Sequence, residues 1–94
     1  MFFNNMTTKH LIIKGKVQGV FYRASAKKKA EELRVCGWVK NTKEGHVEAL
    51  VSGETDQVDQ FIEWCYKGPS DAEVDSVIVE DVENQSLHSF SIIR

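Results

Sequence analysis

Between Lys9 and Lys14 the apolar run Leu11-Ile12-Ile13 is bounded by polar residues and followed by Gly15, a pattern that suits a short central strand better than a helix. From Tyr22 to Arg34 the spacing lengthens. Tyr22, Ala26, Ala30 and Leu33 recur at intervals of three and four, while Lys27, Lys28, Glu31 and Glu32 fall on other faces, which predicts a helix with a narrow apolar stripe. Gly37 is expected to end that unit. Trp38 to Asn41 and His46 to Ser52 read as two strands joined by a hairpin over Thr42-Lys43-Glu44-Gly45, and in the second strand Val47, Ala49 and Val51 alternate with Glu48. Gly53 and Thr55 open a second helix whose apolar face is Val58, Phe61, Ile62 and Cys65, and Gly68-Pro69 stops it. Val74 to Val82 and Leu87 to Ile93 close the chain as strands, the last alternating through Phe90 and Ile92.

The order β, α, β, β, α, β with one further strand is the split βαβ, or ferredoxin-like, arrangement. It is an α+β fold with an antiparallel sheet of about four or five strands and two helices on one face. We expect a short N-terminal extension over residues 1–8 and a single domain over 9–94, with no linker.

Composition narrows the possible functions. At 94 residues, with 41% hydrophobic and 28% charged content, the chain is the size of one ordinary globular domain. Such a chain buries only roughly 60–65% of its unfolded surface, so any active site should be shallow. The formal net charge of -2 gives no global attraction to nucleic acid or to an anionic membrane, and an anionic ligand would need a local site. No apolar run approaches the roughly 18 residues of a membrane span, and Met1-Phe2-Phe3 lacks a signal-peptide core, so the expectation is a soluble, cytoplasmic protein. Lys27 to Lys29 form a basic run, but Glu31 and Glu32 stand four residues from Lys27 and Lys28. A solvated, self-paired helix face is expected there. Cys36 and Cys65 show neither a CxxC nor a zinc pattern. They read as buried free thiols, with a disulfide as the other possibility.

The loop Gly15-Lys16-Val17-Gln18-Gly19-Val20-Phe21-Tyr22-Arg23 carries the most chemistry. It joins a strand to a helix, with a glycine at each end of its tight part, so its backbone N–H groups can turn inward. The helix N-terminus adds unpaired donors and a positive partial charge, which makes the junction an anion site. In the first turn of that helix Arg23 can offer two parallel bonds to phosphate oxygens. The spacing is not that of a nucleotide P-loop, and GxGxxG is absent. Topology brings in a second residue. A helix joins the first strand to the strand of Trp38, so the two should run parallel and end at one sheet edge, where ligands tend to sit. Asn41 ends the second of them. An asparagine before a hairpin often has only a local turn role; facing Arg23 across a sheet edge, its amide can instead orient a water.

These residues resemble the acylphosphatase family. Gly15 to Arg23 is similar to its GxVQGVxxR signature, and Gly37-Trp38-Val39-Lys40-Asn41-Thr42-Lys43-Glu44-Gly45-His46-Val47-Glu48 to its second motif. Gly68-Pro69 followed by Ala72-Glu73-Val74 resembles the segment leading to a later strand of the family, and the likeness runs from about Lys9 to Arg94. The resemblance implies hydrolysis of acyl phosphates, with Arg23 as phosphate ligand and Asn41 positioning the attacking water. Gln18, Gly19, Val20, Phe21, Tyr22 and Arg23 would supply the cradle, mainly through backbone N–H groups. It implies no metal and no organic cofactor. Two residues depart from the family pattern: Glu44 replaces the more frequent aspartate in the hairpin, and Tyr22 replaces phenylalanine, expected to be a minor core change.

The expected partners are a small acyl phosphate, and phosphate or another anion at the loop, with no nucleic acid, no membrane and a monomeric state. The competing reading is a non-catalytic module that uses the same cradle to bind a phosphorylated metabolite or a carboxylate. An RNA-binding domain on this fold would want exposed aromatics on the central strands, and the first strand has none. His10, His46 and His88 fall on predicted strands without a recognised metal pattern and are expected to be unremarkable.

Overall fold

The computed structural model describes residues 5–94. Its elements are β1 (Met6–Lys16), α1 (Tyr22–Leu33), β2 (Cys36–Asn41), β3 (Val47–Glu54), α2 (Thr55–Lys67), β4 (Glu73–Asp81) and β5 (Phe90–Ile93). The strands form one five-stranded sheet in the order β4-β1-β3-β2-β5. It is mixed where an antiparallel sheet was expected: the first four strands pair antiparallel, but β5 lies parallel to β2, with Phe90 opposite Gly37 and Ile93 opposite Lys40.

The core follows from strand alternation. Leu11 and Ile13 of β1, Val39 of β2, and Val47, Ala49 and Val51 of β3 are buried against Tyr22, Ala26, Ala30, Val58, Phe61 and Cys65 of the two helices. Each fully buried branched or aromatic side chain contributes about 1.5–3 kcal/mol of transfer free energy. The alanines of α1 set how closely that helix approaches the sheet.

Several local expectations change. β1 begins at Met6, so residues 6–8 of the expected extension are strand; residues 1–4 lie outside the described residues. The ladder continues because Met6, Thr7 and Thr8 pair with Glu54, Gly53 and Ser52, and the buried Thr8 and Ser52 hydroxyls bond at 2.8 Å. β1 also runs on through Gly15 to Lys16, past an irregularity in its pairing with β4 at Lys14/Gly15. Helix α1 is ended by Arg34, which takes the left-handed conformation (φ 60°) while Val35 N–H bonds Ala30 O at 3.0 Å. Gly37 is instead inside β2, where a Cβ would sit 1.8 Å from Leu50 O. Only glycine lets β2 and β3 approach this closely. Of the charges on α1, the pair formed is Lys29–Glu32 at 3.7 Å, one residue out of the expected register. Cys36 and Cys65 are free; Cys36 is only half-buried, whereas burial pushes the Cys65 thiol up to about 12.

Tyr22 is more than a minor core change. Its buried hydroxyl donates to Cys65 O at 2.7 Å. In a continuing helix that carbonyl would accept from residue 69, but Pro69 has no N–H, and Gly68 N–H is taken by Trp64 O at 2.7 Å. The phenol of α1 therefore caps the end of α2.

On the face away from the helices, Leu50 is 5% exposed and lies in register between His10 and Trp38, whose rings meet edge-on at 6.4 Å. His10 Nε2 bonds Glu48 Oε2 at 2.6 Å, and Lys40 Nζ lies 3.6 Å from Glu48 Oε1 and over the Trp38 ring. His10 is thus a structural partner. Its hydrogen bond, aided by the Lys40 charge, holds the Glu48 carboxyl below its ordinary value of 4.5.

Tyr22→Phe should lower unfolding free energy by about 1–3 kcal/mol, read from urea midpoints, because it leaves the buried Cys65 carbonyl without a donor. A carboxylate whose folded pKa is depressed stabilises the fold above its unfolded pKa and loses that contribution as pH falls through the folded value. Stability should therefore fall more between pH 5 and pH 3 in the wild type than in Glu48→Gln, with equal slopes refuting this account.

Candidate active site

The segment between β1 and α1 is pinned from below. Val17, Val20 and Tyr22 are 1%, 7% and 2% exposed and sit in the core, which turns Gln18, Gly19 and Phe21 outward. Gly19 has φ 75° and Phe21, 80% exposed, has φ 62°, both in the left-handed region. For phenylalanine that conformation costs about 1–2 kcal/mol, so the buried neighbours must hold it in place. The reversal brings the chain into α1 with no side-chain cap, and the first helical backbone bond runs from Ser25 N–H to Phe21 O at 3.0 Å. The N–H groups of Tyr22, Arg23 and Ala24 are consequently left at the helix N-terminus, where the helix dipole adds positive potential.

β1, β2 and β5 all point the same way, because β3 lies antiparallel between β1 and β2 and β5 is parallel to β2. Their carboxyl ends share one edge. There an open cleft of about 410 Å³ is lined by Val17, Gly19, Phe21, Tyr22, Arg23, Ala24, Asn41, Ile92 and Arg94. Arg23 and Asn41, 18 positions apart in sequence, therefore line the same space. Arg23 is half-buried and makes no ion pair among the described residues; Asn41 is exposed at the end of β2.

Of the expected cradle residues, Gly19, Phe21, Tyr22 and Arg23 line the cleft, whereas Gln18 and Val20 do not. Val20 is a core anchor. The Gln18 side chain leaves the loop for the β2–β3 connection, where its Nε2 donates to the carbonyls of Thr42 and His46. Arg94 was missed by sequence reasoning: only the parallel placement of β5 carries it to the β2 end, and a terminal arginine has no distinguishing pattern. The side chains that line the cleft thus include two arginines and no aspartate or glutamate, a set that favours an anion.

A ferredoxin-like α+β domain with an arginine-lined cleft at the carboxyl ends of its parallel strands is the class that fold and site define. A family model described as acylphosphatase matches residues 9–92, and the chain belongs to the acylphosphatase family. It is 46% identical over 88 residues to an acylphosphatase of Haloquadratum walsbyi, covering 94% of this chain and 95% of that one. Among solved structures, the fold is similar to an acylphosphatase from Coxiella burnetii, with a TM-score of 0.91 and 43% identity, covering 95% of this chain and 94% of that one. An acylphosphatase from Bacillus subtilis matches with a TM-score of 0.90 and 30% identity, covering 95% of this chain and 99% of the other.

Proposed function

We propose that this acylphosphatase-family enzyme hydrolyses the carboxyl–phosphate bond of a small acyl phosphate by direct attack of a water, through neither a metal nor a phosphoenzyme. The observation that carries the reading is the meeting of Arg23 and Asn41 in one cleft beside an uncapped helix N-terminus. The Arg23 guanidinium binds two phosphate oxygens, and backbone N–H groups between Gln18 and Arg23 bind the remainder. Asn41, from the other parallel strand, accepts from and donates to the attacking water. The acyl group is left towards the open side of the cleft.

The chemistry explains why so few groups suffice. Phosphoryl transfer through a loose transition state demands mainly positioning and charge stabilisation. The leaving carboxylate has a conjugate-acid pKa of roughly 4, so it departs unprotonated and asks for no protein general acid. Among its side chains the cleft lining has no serine, threonine, cysteine, histidine, aspartate or glutamate to act as a covalent nucleophile, which supports the single-step route. The reading extends to a cytoplasmic monomer; among the described residues no helix is long and apolar enough to cross a membrane.

With benzoyl phosphate as substrate, Arg23→Ala should lower kcat/KM at least about 100-fold, since charge-assisted bonds to phosphate are worth roughly 1.5–3 kcal/mol each. It should also weaken competitive inhibition by inorganic phosphate. Asn41→Ala should lower kcat about 100-fold and leave phosphate inhibition within about threefold of wild type. Phosphate binding without turnover in the wild type would replace this reading with that of a binding module.

A further inference from the structure

Gln18 belongs to the cradle loop, yet its side chain makes no part of the cleft wall. Nε2 donates at 2.9 Å to Thr42 O and at 2.8 Å to His46 O, and these two bonds use both amide protons. The acceptors are the two ends of the turn that follows Asn41. Thr42 N–H bonds His46 O at 2.9 Å, Gly45 N–H bonds Thr42 O at 3.2 Å, and His46 N–H bonds Thr42 Oγ1 at 3.1 Å. Each carbonyl that Gln18 meets thus already accepts one backbone donor, and the amide fills its second lone pair. Among the described residues no other side-chain hydrogen bond joins the loop to this hairpin.

The mechanical consequence is specific. The core pins the loop through Val17 and Val20, and the register of β2 on β3 holds Asn41 only up to its pairing with Val47, the last in the ladder. Beyond that rung the hairpin depends on its own turn bonds and on Gln18. A reacting water has to lie about 3–3.5 Å from phosphorus, and a misplacement of about 1 Å can cost a factor of about 100.

We infer that Gln18 is a positioning residue: its side-chain amide ties the phosphate cradle to the Asn41 hairpin and so sets the distance between bound phosphate and attacking water. This rests on the proposed role of Asn41. Glutamine is suited to the task because it is neutral, reaches across the gap and presents two donors in one plane. A methionine of similar length has no donor, and an ionised glutamate sets a carboxylate against two carbonyl oxygens.

Three variants test the inference with benzoyl phosphate: Gln18→Met, Gln18→Glu, and Gln18→Met combined with Asn41→Ala. Gln18→Met should lower kcat about 10- to 100-fold while the inhibition constant of inorganic phosphate changes less than about threefold. In the Asn41→Ala background the same change should lower kcat less than about twofold, because there is no oriented water left to misplace. Gln18→Glu should recover kcat relative to wild type as pH falls and the carboxyl regains an O–H donor. That readout remains if Gln18→Met fails to fold. Multiplicative losses in the double variant, a loss confined to phosphate affinity, or a pH-independent ratio for Gln18→Glu would each overturn the inference. An Asn41→Ala enzyme of full activity would refute the reading of Asn41 and this inference with it. Impaired Asn41→Ala with multiplicative losses would refute the role of Gln18 alone.

Discussion

Everything at the cleft depends on β3 lying between β1 and β2 and antiparallel to both. That one arrangement makes β1 and β2 parallel without pairing them, sends both carboxyl ends to the same edge, and leaves the β1–α1 loop facing the β2–β3 turn. The strand that imposes it is the most buried in the sheet. Val47, Ala49 and Val51 face the helices, Leu50 is covered on the other side, and the carbonyl of Leu50 lies where any side chain at position 37 would be. Burial on both faces fixes the register, since a slip of one residue would reverse every side chain of the strand. The directions of the two strands that end at the site are therefore inherited from the core.

Helix α1 is the second constraint. Its apolar stripe is built of alanines and Tyr22, so it contributes proximity more than buried area. What anchors it is directional: the Tyr22 hydroxyl reaches into α2 and supplies the donor that Pro69 cannot. Since Tyr22 is also the first residue of the helix whose N-terminus faces the cleft, the bond that finishes α2 also orients the donors of α1. The tilted packing of Tyr22 on Trp64, with centroids 5.3 Å apart, and Gly68, where a Cβ would lie 2.8 Å from the phenol ring, belong to the same joint.

Most of the fold was legible because periodicity reports burial directly. The alternation through Val47, Ala49 and Val51 and the three-and-four spacing from Tyr22 to Leu33 each follow from one buried face. Arg23 was legible as a cation in the first turn after a glycine-containing loop, and Asn41 because strand direction could be deduced from a βα connection. What was not legible depended on partners far away in the chain. The parallel pairing of β5 follows a coil over residues 82–89 with no turn signature, and with it went Arg94. Arg34 stops α1 in a conformation usually given to glycine, while the nearest glycine is needed for strand contact instead. The hydroxyl of Tyr22 looked incidental because its acceptor is 43 residues away.

The same limit explains why Gln18 was assigned only a backbone role. Sequence locality groups it with the loop proposed to cradle an anion, but its amide is spent on the hairpin. Cleft and hairpin can be separately well formed and still miss each other by the roughly 1 Å that the proposed attack of water would not tolerate. A core this small sets the directions of β1 and β2, yet the turn that follows Asn41 lies beyond its reach. Fixing that final separation calls for a link made outside the core, polar enough to remain in half-exposed surroundings and directional enough to resist shear. A side-chain amide bonded to two backbone carbonyls meets both conditions, whereas an apolar contact at the rim would define distance only loosely.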